Sequence, residues 1–105
     1  MSRRVFAFHA YDSPNAGDVR ERFLDEHLAY VSANIDRYFV AGPLKSASDE
    51  MIGSLFLVYG DDEADARAFM AKDPYMREPL FDDVRVQEFV GAAGDAVGGA
   101  AWLNG

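Results

Sequence analysis

The sequence predicts an α+β fold in which four strands and two helices follow one another in the order β-α-β-β-α-β. Two observations lead to this prediction. Four segments carry the alternating or continuous apolar residues typical of strands, and two segments carry apolar residues at helical spacing. The chain has 105 residues, a length that fits one domain. We therefore expect a single core.

Composition and charge exclude several classes of function. Half of the residues are hydrophobic and 27% are charged, which is enough apolar material for a core. The formal net charge is −8 at pH 7, so we expect neither nucleic acid nor a membrane surface as a partner. Cysteine is absent, which excludes thiolate sites and fits a reducing compartment. We therefore expect a cytoplasmic protein, with no targeting segment near Met1–Arg4.

The first strand is predicted over Arg3–Tyr11, where aromatic and β-branched residues alternate on two largely apolar faces. After a stretch of turn formers, Asp18 lies three residues before Glu21, in the spacing of a capping box. The first helix should therefore begin near Asp18. Its apolar residues recur at helical spacing over about five turns: Val19, Phe23, Leu24, Leu28, Val31 and Ile35.

The second strand is predicted as the short segment Tyr38–Ala41. It should end at Gly42-Pro43, because proline has no amide hydrogen to continue a ladder. A polar loop over Lys45–Glu50 separates it from the third strand, Met51–Tyr59. The third strand places Ser54, Phe56 and Val58 on one face and Leu55, Leu57 and Tyr59 on the other.

Apolar side chains on both faces of the first and third strands indicate that both faces of the sheet are covered. The two helices can cover only one of them. In so small a chain, the other face would pack against the sheet of another subunit. The sequence therefore predicts a homodimer.

The second helix is predicted over Glu63–Lys72, with acidic residues in its first turn, and Asp73-Pro74 should end it. A fourth strand follows over Phe81–Val90. This order of elements is the ferredoxin-like arrangement, an antiparallel sheet with two helices on one face.

Residues 1–90 therefore form the predicted domain. Gly91–Gly105 is rich in glycine and alanine and is predicted to be a mobile tail, with Trp102-Leu103 as its only anchor.

The apolar side of the first helix carries a histidine. His27 lies four residues from both Phe23 and Val31, and Arg20 lies two turns before it on nearly the same stripe. Two interpretations of each residue stay open. His27 is either a core histidine with one backbone partner or a functional group, and Arg20 is either an exposed side chain that extends past the helix edge or a ligand contact.

Asp73 lies where the dipole of the second helix disfavours a carboxylate, so something must compensate it. One interpretation makes Asp73 the N-cap of a new turn that begins at Pro74. The other makes it the acceptor for an imidazole, which would raise the pKa of that histidine and fix its tautomer for acid-base chemistry. One carboxylate can do both.

The remaining motifs are weaker. His9, on the first strand, would face either a pocket or the dimer interface. Two histidines without a metal-binding spacing do not indicate a metal site. The sequence has no glycine-rich phosphate loop and no nucleophile elbow, so we expect no cofactor.

Taken together, several motifs resemble the YciI-like family of small proteins, which have the dimeric α/β-barrel form of the ferredoxin-like fold. The resemblance covers about residues 3 to 90. The motifs are Arg20 before His27-Leu28, then Ala41-Gly42-Pro43-Leu44, Gly53-Ser54-Leu55 and Asp73-Pro74-Tyr75, and a last valine-rich strand. This chain departs from the family at Leu24-Asp25, where many members have Arg-Pro.

The resemblance implies a pocket in each subunit with His27 and Asp73 as the catalytic pair. It leads us to expect a cofactor-independent lyase or isomerase that acts on a small oxygenated molecule, such as an aromatic compound or a lactone. A non-catalytic metabolite-binding protein and a dimeric interaction module are the alternatives. The candidate substrate-binding residues are Arg20, His9, Gly42, Pro43, Ser54 and Tyr75.

Overall fold

The computed structural model describes residues 3–100 and Trp102. A four-stranded antiparallel sheet has the strand order β2-β3-β1-β4, which confirms the predicted ferredoxin-like arrangement. The elements of the domain are β1 Arg4–Asp12, α1 Ala16–Ala33, β2 Tyr38–Lys45, β3 Met51–Gly60, α2 Glu63–Met70, α3 Pro74–Arg77 and β4 Phe81–Phe89.

The core lies between the sheet and the helices. In the β1–β3 register Phe6 stands opposite Val58 and Phe8 stands opposite Phe56, so all four point to the same face. Phe69 and Met70 of α2 pack against them. Full burial of each large apolar side chain contributes about 1.5–3 kcal/mol to stability.

Helix α1 packs less tightly than its apolar stripe predicts. Ala16 is the only buried residue within this helix, all of which the structure describes, and Leu28 and Leu24 are 50% and 44% exposed. Tyr30 and Phe23 reach the core from the same helix. Part of the apolar stripe therefore packs in the core, and the rest of it lines a cavity.

The helix begins slightly earlier than predicted. Asn15 is its N-cap, and neither Asn15 nor the predicted Asp18 supplies a side-chain cap. Asn15 has φ −101° and ψ 15°, outside the extended region in which a capping side chain reaches the N–H groups of the first turn.

The predicted end of β2 at Gly42-Pro43 is wrong. The strand continues to Lys45, and Pro43 pairs with Ser54 of β3. The physical reason is the strand order, because β2 is an edge strand and a proline is tolerated where the missing amide would face outward.

Two aspartates cap the following helices. Asp62 accepts a hydrogen bond from Asp65 N at 2.8 Å at the start of α2. Helix α2 ends at Met70, two residues before its predicted end, and Asp73 then caps α3, which has Pro74 in its first turn. The Asp-Pro dipeptide thus ends one helix and begins another.

The segment after β4 has more regular structure than predicted. Strands β5 Ala93–Gly94 and β6 Gly99–Ala100 form a hairpin. Trp102 is 69% exposed, so it does not anchor the segment to this chain, and Leu103 lies outside the described residues. None of the described helices is both long and apolar enough to cross a membrane.

Candidate active site

His27 and Asp73 meet on the helix side of the sheet. The distance from His27 Nδ1 to Asp73 Oδ1 is 2.8 Å. The His27 side chain is 12% exposed and that of Asp73 is fully buried. Helix α1 supplies the histidine, and the junction of α2 and α3 supplies the aspartate. The two residues therefore form a hydrogen-bonded pair that only the histidine connects to solvent.

Asp73 has both of the roles that the sequence suggested. Its Oδ1 accepts from His27 and also from the backbone N of Tyr75, at 2.9 Å. Its Oδ2 is buried and finds no hydrogen-bond partner among the described residues. Because the cap fixes the carboxylate, the oxygen that holds the imidazole is set by the backbone of α3.

The ring of His27 is held by aromatic contacts as well. Tyr75 stacks on it with the ring centroids 3.8 Å apart and the planes 5° from parallel, and Phe56 meets it edge-on at 6.4 Å. The Tyr75 hydroxyl donates to the backbone oxygen of Arg20 at 3.1 Å. An ionised carboxylate can only accept, so when Asp73 is ionised the hydrogen of this contact lies on Nδ1 and Nε2 is the other ring nitrogen.

Arg20 is tied down by its neighbours. Its Nη2 and Nε donate to the two carboxylate oxygens of Asp12 at 2.8 and 3.2 Å. Nη2 also donates to Gly53 O and Ser54 Oγ, both at 3.1 Å. Its side chain is 13% exposed, so the interpretation as an arginine extending into solvent is wrong.

Burial and neighbouring charges change the pKa of three tyrosines near Asp73. Burial raises the pKa of Tyr30, Tyr38 and Tyr75, and the charge of Asp73 raises each of them further. Arg37 opposes the rise for Tyr30 and Tyr38, and Arg20 opposes it for Tyr75. At neutral pH these three tyrosines are therefore uncharged. Tyr30 Oη donates to Phe69 O and Tyr75 Oη donates to Arg20 O, whereas Tyr38 Oη has no partner among the described residues.

A cavity of about 800 Å³ opens between α1 and the strands β2 and β3. That volume is within the range typical of small-molecule sites. The wall is mostly apolar, and Asp12, Arg20 and Ser54 form one hydrogen-bonded group of polar side chains within it. The lining residues with ionisable side chains or hydroxyls are Asp12, Arg20, Glu21, His27, Glu50, Ser54 and Tyr75, and those with apolar side chains include Leu24, Leu28, Val31, Met51 and Phe56.

The fold brings together most of the residues that the sequence singled out. Arg20, His27, Gly42, Pro43, Ser54 and Tyr75 line the cavity, and Asp73 lies directly behind His27. His9 does not join them. It stands opposite Leu55, on the sheet face away from the helices, with its ring 4.5 Å from that of Tyr11.

Sequence reasoning missed other lining residues. The apolar stripe of α1 was assigned to the core, although Leu24, Leu28 and Val31 line the cavity. Asp12 follows the predicted first strand, and its pairing with Arg20 depends on where β1 ends against α1. Glu21 was noted in the sequence only as the second residue of the capping-box spacing that begins at Asp18. Within the described residues, no group of three or more His, Asp or Glu side chains is placed to hold a metal ion.

Comparisons with known proteins identify relatives of this fold. One solved structure is 5-chloro-2-hydroxyhydroquinone dehydrochlorinase from Burkholderia phenoliruptrix, in complex with 2,5-dihydroxybenzoquinone. It is 25% identical, with a TM-score of 0.74 over 87% of this chain and 96% of that chain. The Pseudomonas aeruginosa protein PA3566 is 16% identical, with a TM-score of 0.50 over 85% of this chain and 94% of that one, and it supports the fold alone.

A search of curated proteins finds no match to the chain. The family model of the YCII-related domain matches residues 5–90, which include every element from β1 to β4 apart from the first residue of β1. The site residues Arg20, His27 and Asp73 all lie within this range. The chain therefore belongs to the family defined by the YCII-related domain.

Proposed function

We propose that this protein is a cofactor-independent lyase or isomerase in which His27 and Asp73 perform acid-base chemistry on a small oxygenated molecule. The observation that carries the proposal is the 2.8 Å contact between His27 Nδ1 and Asp73 Oδ1 at the wall of an open cavity. A carboxylate on one ring nitrogen makes the other a better base and stabilises the imidazolium that forms.

The chemistry begins with a proton transfer to His27. Nε2 accepts a proton from a C–H or O–H group of the ligand, and the buried carboxylate of Asp73 offsets the new positive charge. In an elimination, the electron pair released by that proton forms a double bond as a leaving group departs with its own bonding pair. In an isomerisation, His27 returns the proton to a different atom of the same molecule.

The surroundings of the dyad support this role. Tyr75 and Phe56 hold the ring plane, so the imidazole needs little reorientation when a ligand binds. The described relative that binds 2,5-dihydroxybenzoquinone is named as a dehydrochlorinase. A small-molecule elimination is therefore within the chemistry of a protein with this fold.

A second candidate is a protein that binds the same kind of molecule without transforming it. The mostly apolar wall favours this alternative, because it can hold a ligand whether or not the dyad reacts. Both candidates share one site. They differ in whether a proton passes from the ligand to Nε2 of His27 during a catalytic cycle.

The test compares two histidine substitutions. Thermal shifts against catechols, hydroquinones and lactones would first identify a ligand, since a ligand at about 100 times its Kd adds roughly 2.7 kcal/mol of stability. Turnover of that ligand would then be measured for the wild type, His27→Gln and His9→Gln. His9→Gln is the matched control, because the sheet separates His9 from the cavity.

We expect His27→Gln to lose turnover by at least about a hundredfold, the usual contribution of an acid-base group, while His9→Gln keeps it. Retained turnover in His27→Gln would rule out the proposed mechanism. Ligand binding in the wild type without turnover of any bound compound would favour the binding protein.

We also propose that the protein is a homodimer joined through the sheet face that lacks helices. The core residues of β1 and β3 point to the helices, so Ala7, Leu55 and Leu57 point the other way. Phe89 of β4, paired with Val5, lies on the same face and is 41% exposed. This face is apolar along β1 and β3, with Arg85 and Gln87 of β4 beside it, and an apolar sheet surface is typical of one that pairs with a copy of itself.

A further inference from the structure

We infer that the cavity selects uncharged ligands and rejects carboxylates, because Arg20, the one arginine among its described lining residues, is paired with Asp12, and two further carboxylates, Glu21 and Glu50, also line the cavity. This inference rests on the proposed function, since it concerns the ligand of the same cavity. It narrows the candidate ligands to uncharged hydroxylated molecules, and it excludes keto acids and other organic acids of similar size.

Arg20 is held by an acidic residue of the same cavity wall. An arginine in a mainly apolar cavity would ordinarily be the group that binds a ligand carboxylate. Here both oxygens of Asp12 are bound to Nε and Nη2. Nη2 also serves Gly53 O and Ser54 Oγ, so three acceptors share its two hydrogens. The side chains of Arg20 and Asp12 are only 13% and 11% exposed, so little solvent screens this pair.

The described lining residues together carry a negative charge. Asp12, Glu21 and Glu50 each contribute a negative charge, against the one positive charge of Arg20. The dyad does not reverse this balance. A neutral His27 leaves the charge of Asp73 uncompensated, and a protonated His27 is cancelled by it. In both states the cavity is negative, in a chain whose net charge is −8.

The remaining wall of the cavity is apolar on two sides. Leu24, Leu28 and Val31 form the α1 side, and Met51 and Phe56 form the sheet side. An apolar ring fits between two such walls. The dyad then presents Nε2 of His27, which accepts a hydrogen bond from a hydroxyl group without needing a charge on the ligand. The cavity therefore suits an uncharged ring that carries hydroxyl groups.

Two compounds of nearly equal size separate charge from shape. We would measure the binding of 2,5-dihydroxybenzamide and 2,5-dihydroxybenzoate to the full chain at pH 7 by calorimetry, at low and high salt. They share the ring and both hydroxyls and differ in the carboxamide or carboxylate. We expect the amide to bind at least about tenfold tighter, the effect of one unit charge at about 10 Å in an effective dielectric of about 20.

Substitutions then locate the source of the selectivity. Asp12→Asn frees Arg20 and should increase benzoate affinity more than amide affinity, so the preference narrows or reverses. Glu21→Gln with Glu50→Gln removes the exposed carboxylates and keeps the Arg20 pair, and it covers the case in which Asp12→Asn fails to fold. In this double variant, the part of the preference for the amide that depends on salt should disappear. The part that is due to the Arg20–Asp12 pair should remain.

The outcomes distinguish this inference from the proposed function. Equal binding of the two compounds, or tighter binding of the benzoate, would overturn the inference and leave the proposed function standing. A preference for the amide that is unchanged in both variants would also overturn it, because charge would not be the cause. If neither compound binds the wild type, the ligand class proposed for the site fails and this inference fails with it.

Discussion

At the scale of single residues, Asp73 links the fold to the site. Its Oδ1 holds both the first turn of α3 and the ring of His27. Sequence reasoning offered these as alternative interpretations, and they share one oxygen atom. The dyad therefore needs no aspartate beyond the one that begins α3. Substitution of Asp73 should therefore lower the free energy of unfolding more than substitution of an ordinary N-cap residue does.

We predict that Asp73→Ala lowers the free energy of unfolding by about 3 kcal/mol, because it removes a cap and leaves a partly buried imidazole N–H without its acceptor. Asp62→Ala is the matched control, since Asp62 caps α2 with one hydrogen bond at 2.8 Å and has no second partner of this kind. It should cost about 1 kcal/mol. Urea unfolding of both variants measures the difference, and equal losses would contradict a second role for Asp73.

Two tyrosines near Phe69 differ in one hydrogen bond. Tyr30 Oη donates to Phe69 O at 2.6 Å, whereas Tyr38 Oη is buried without a partner among the described residues. We predict that Tyr38→Phe raises the free energy of unfolding by about 1 kcal/mol and that Tyr30→Phe lowers it by about the same amount. Chemical denaturation at pH 7 checks both. Destabilisation by Tyr38→Phe would mean that its hydroxyl has a partner.

The raised pKa of Tyr38 leads to a prediction of how the free energy of unfolding depends on pH. Burial, followed by the charge of Asp73, raises the pKa of Tyr38 in the folded state, whereas an unfolded chain loses this proton near pH 10. Above about pH 10 the folded state holds more protons, so the free energy of unfolding falls as the pH rises. Tyr38→Phe should make this fall less steep above about pH 10. Parallel curves for the variant and the wild type would exclude Tyr38 as a cause.

Residue spacing within one element predicted which side chains of that element lie in the site. It did not predict contacts between different elements. Arg20 and His27 were placed on one stripe by the helical period, and both line the cavity. The pair of Arg20 with Asp12 joins a helix to the end of a strand, which no local pattern reports. His9 was grouped with the site although strand alternation alone left both faces open.

At the scale of elements, the close approach of neighbouring strands decides at which glycines a side chain would be tolerated. A Cβ on Gly53 of β3 would collide with the backbone oxygen of Ala10, whereas a Cβ on Gly42 of β2 would meet nothing within 4 Å. The first glycine lies between two strands and the second on the edge strand. The same edge position explains why β2 continues through Pro43, which the sequence pattern had treated as a stop.

We predict that Gly53→Ala destabilises the protein by more than about 2 kcal/mol, because β1 and β3 must separate to admit the methyl group. Gly42→Ala is the control and should change stability by less than about 0.5 kcal/mol. Thermal unfolding monitored by circular dichroism checks both variants. Since Gly53 O also accepts from Arg20, ligand binding should weaken in Gly53→Ala as well. Similar melting temperatures for the two variants would contradict the close packing of β1 against β3.

At the scale of the whole molecule, the order of elements and the strand faces followed from the sequence. Alternation and helical spacing depend on neighbouring residues, and the ferredoxin-like order follows from them. The cavity did not follow. An apolar stripe predicts burial against something, and it does not distinguish a core from a ligand site. Helix α1 therefore looked like a core helix, although Leu24 and Leu28 are about half exposed beside the cavity.

The second apolar surface is the sheet face without helices, and from it we predict a homodimer. Four strands of about nine residues cover roughly 30 by 20 Å, which would bury about 1,200 Å² over two copies, the lower end of a specific interface. We predict that sedimentation equilibrium gives a mass of twice the 11.6 kDa chain.

Leu55→Lys places a charge at the centre of this face and should give a folded monomer, because a lysine buried without a partner is costly. Val84→Lys is the control. Val84 is 38% exposed and stands opposite Ala10, so it lies on the helix side of the sheet, and the variant should remain dimeric. A wild type that sediments as one chain at micromolar concentration, or a Leu55→Lys variant with the wild-type mass, would exclude this face as the interface.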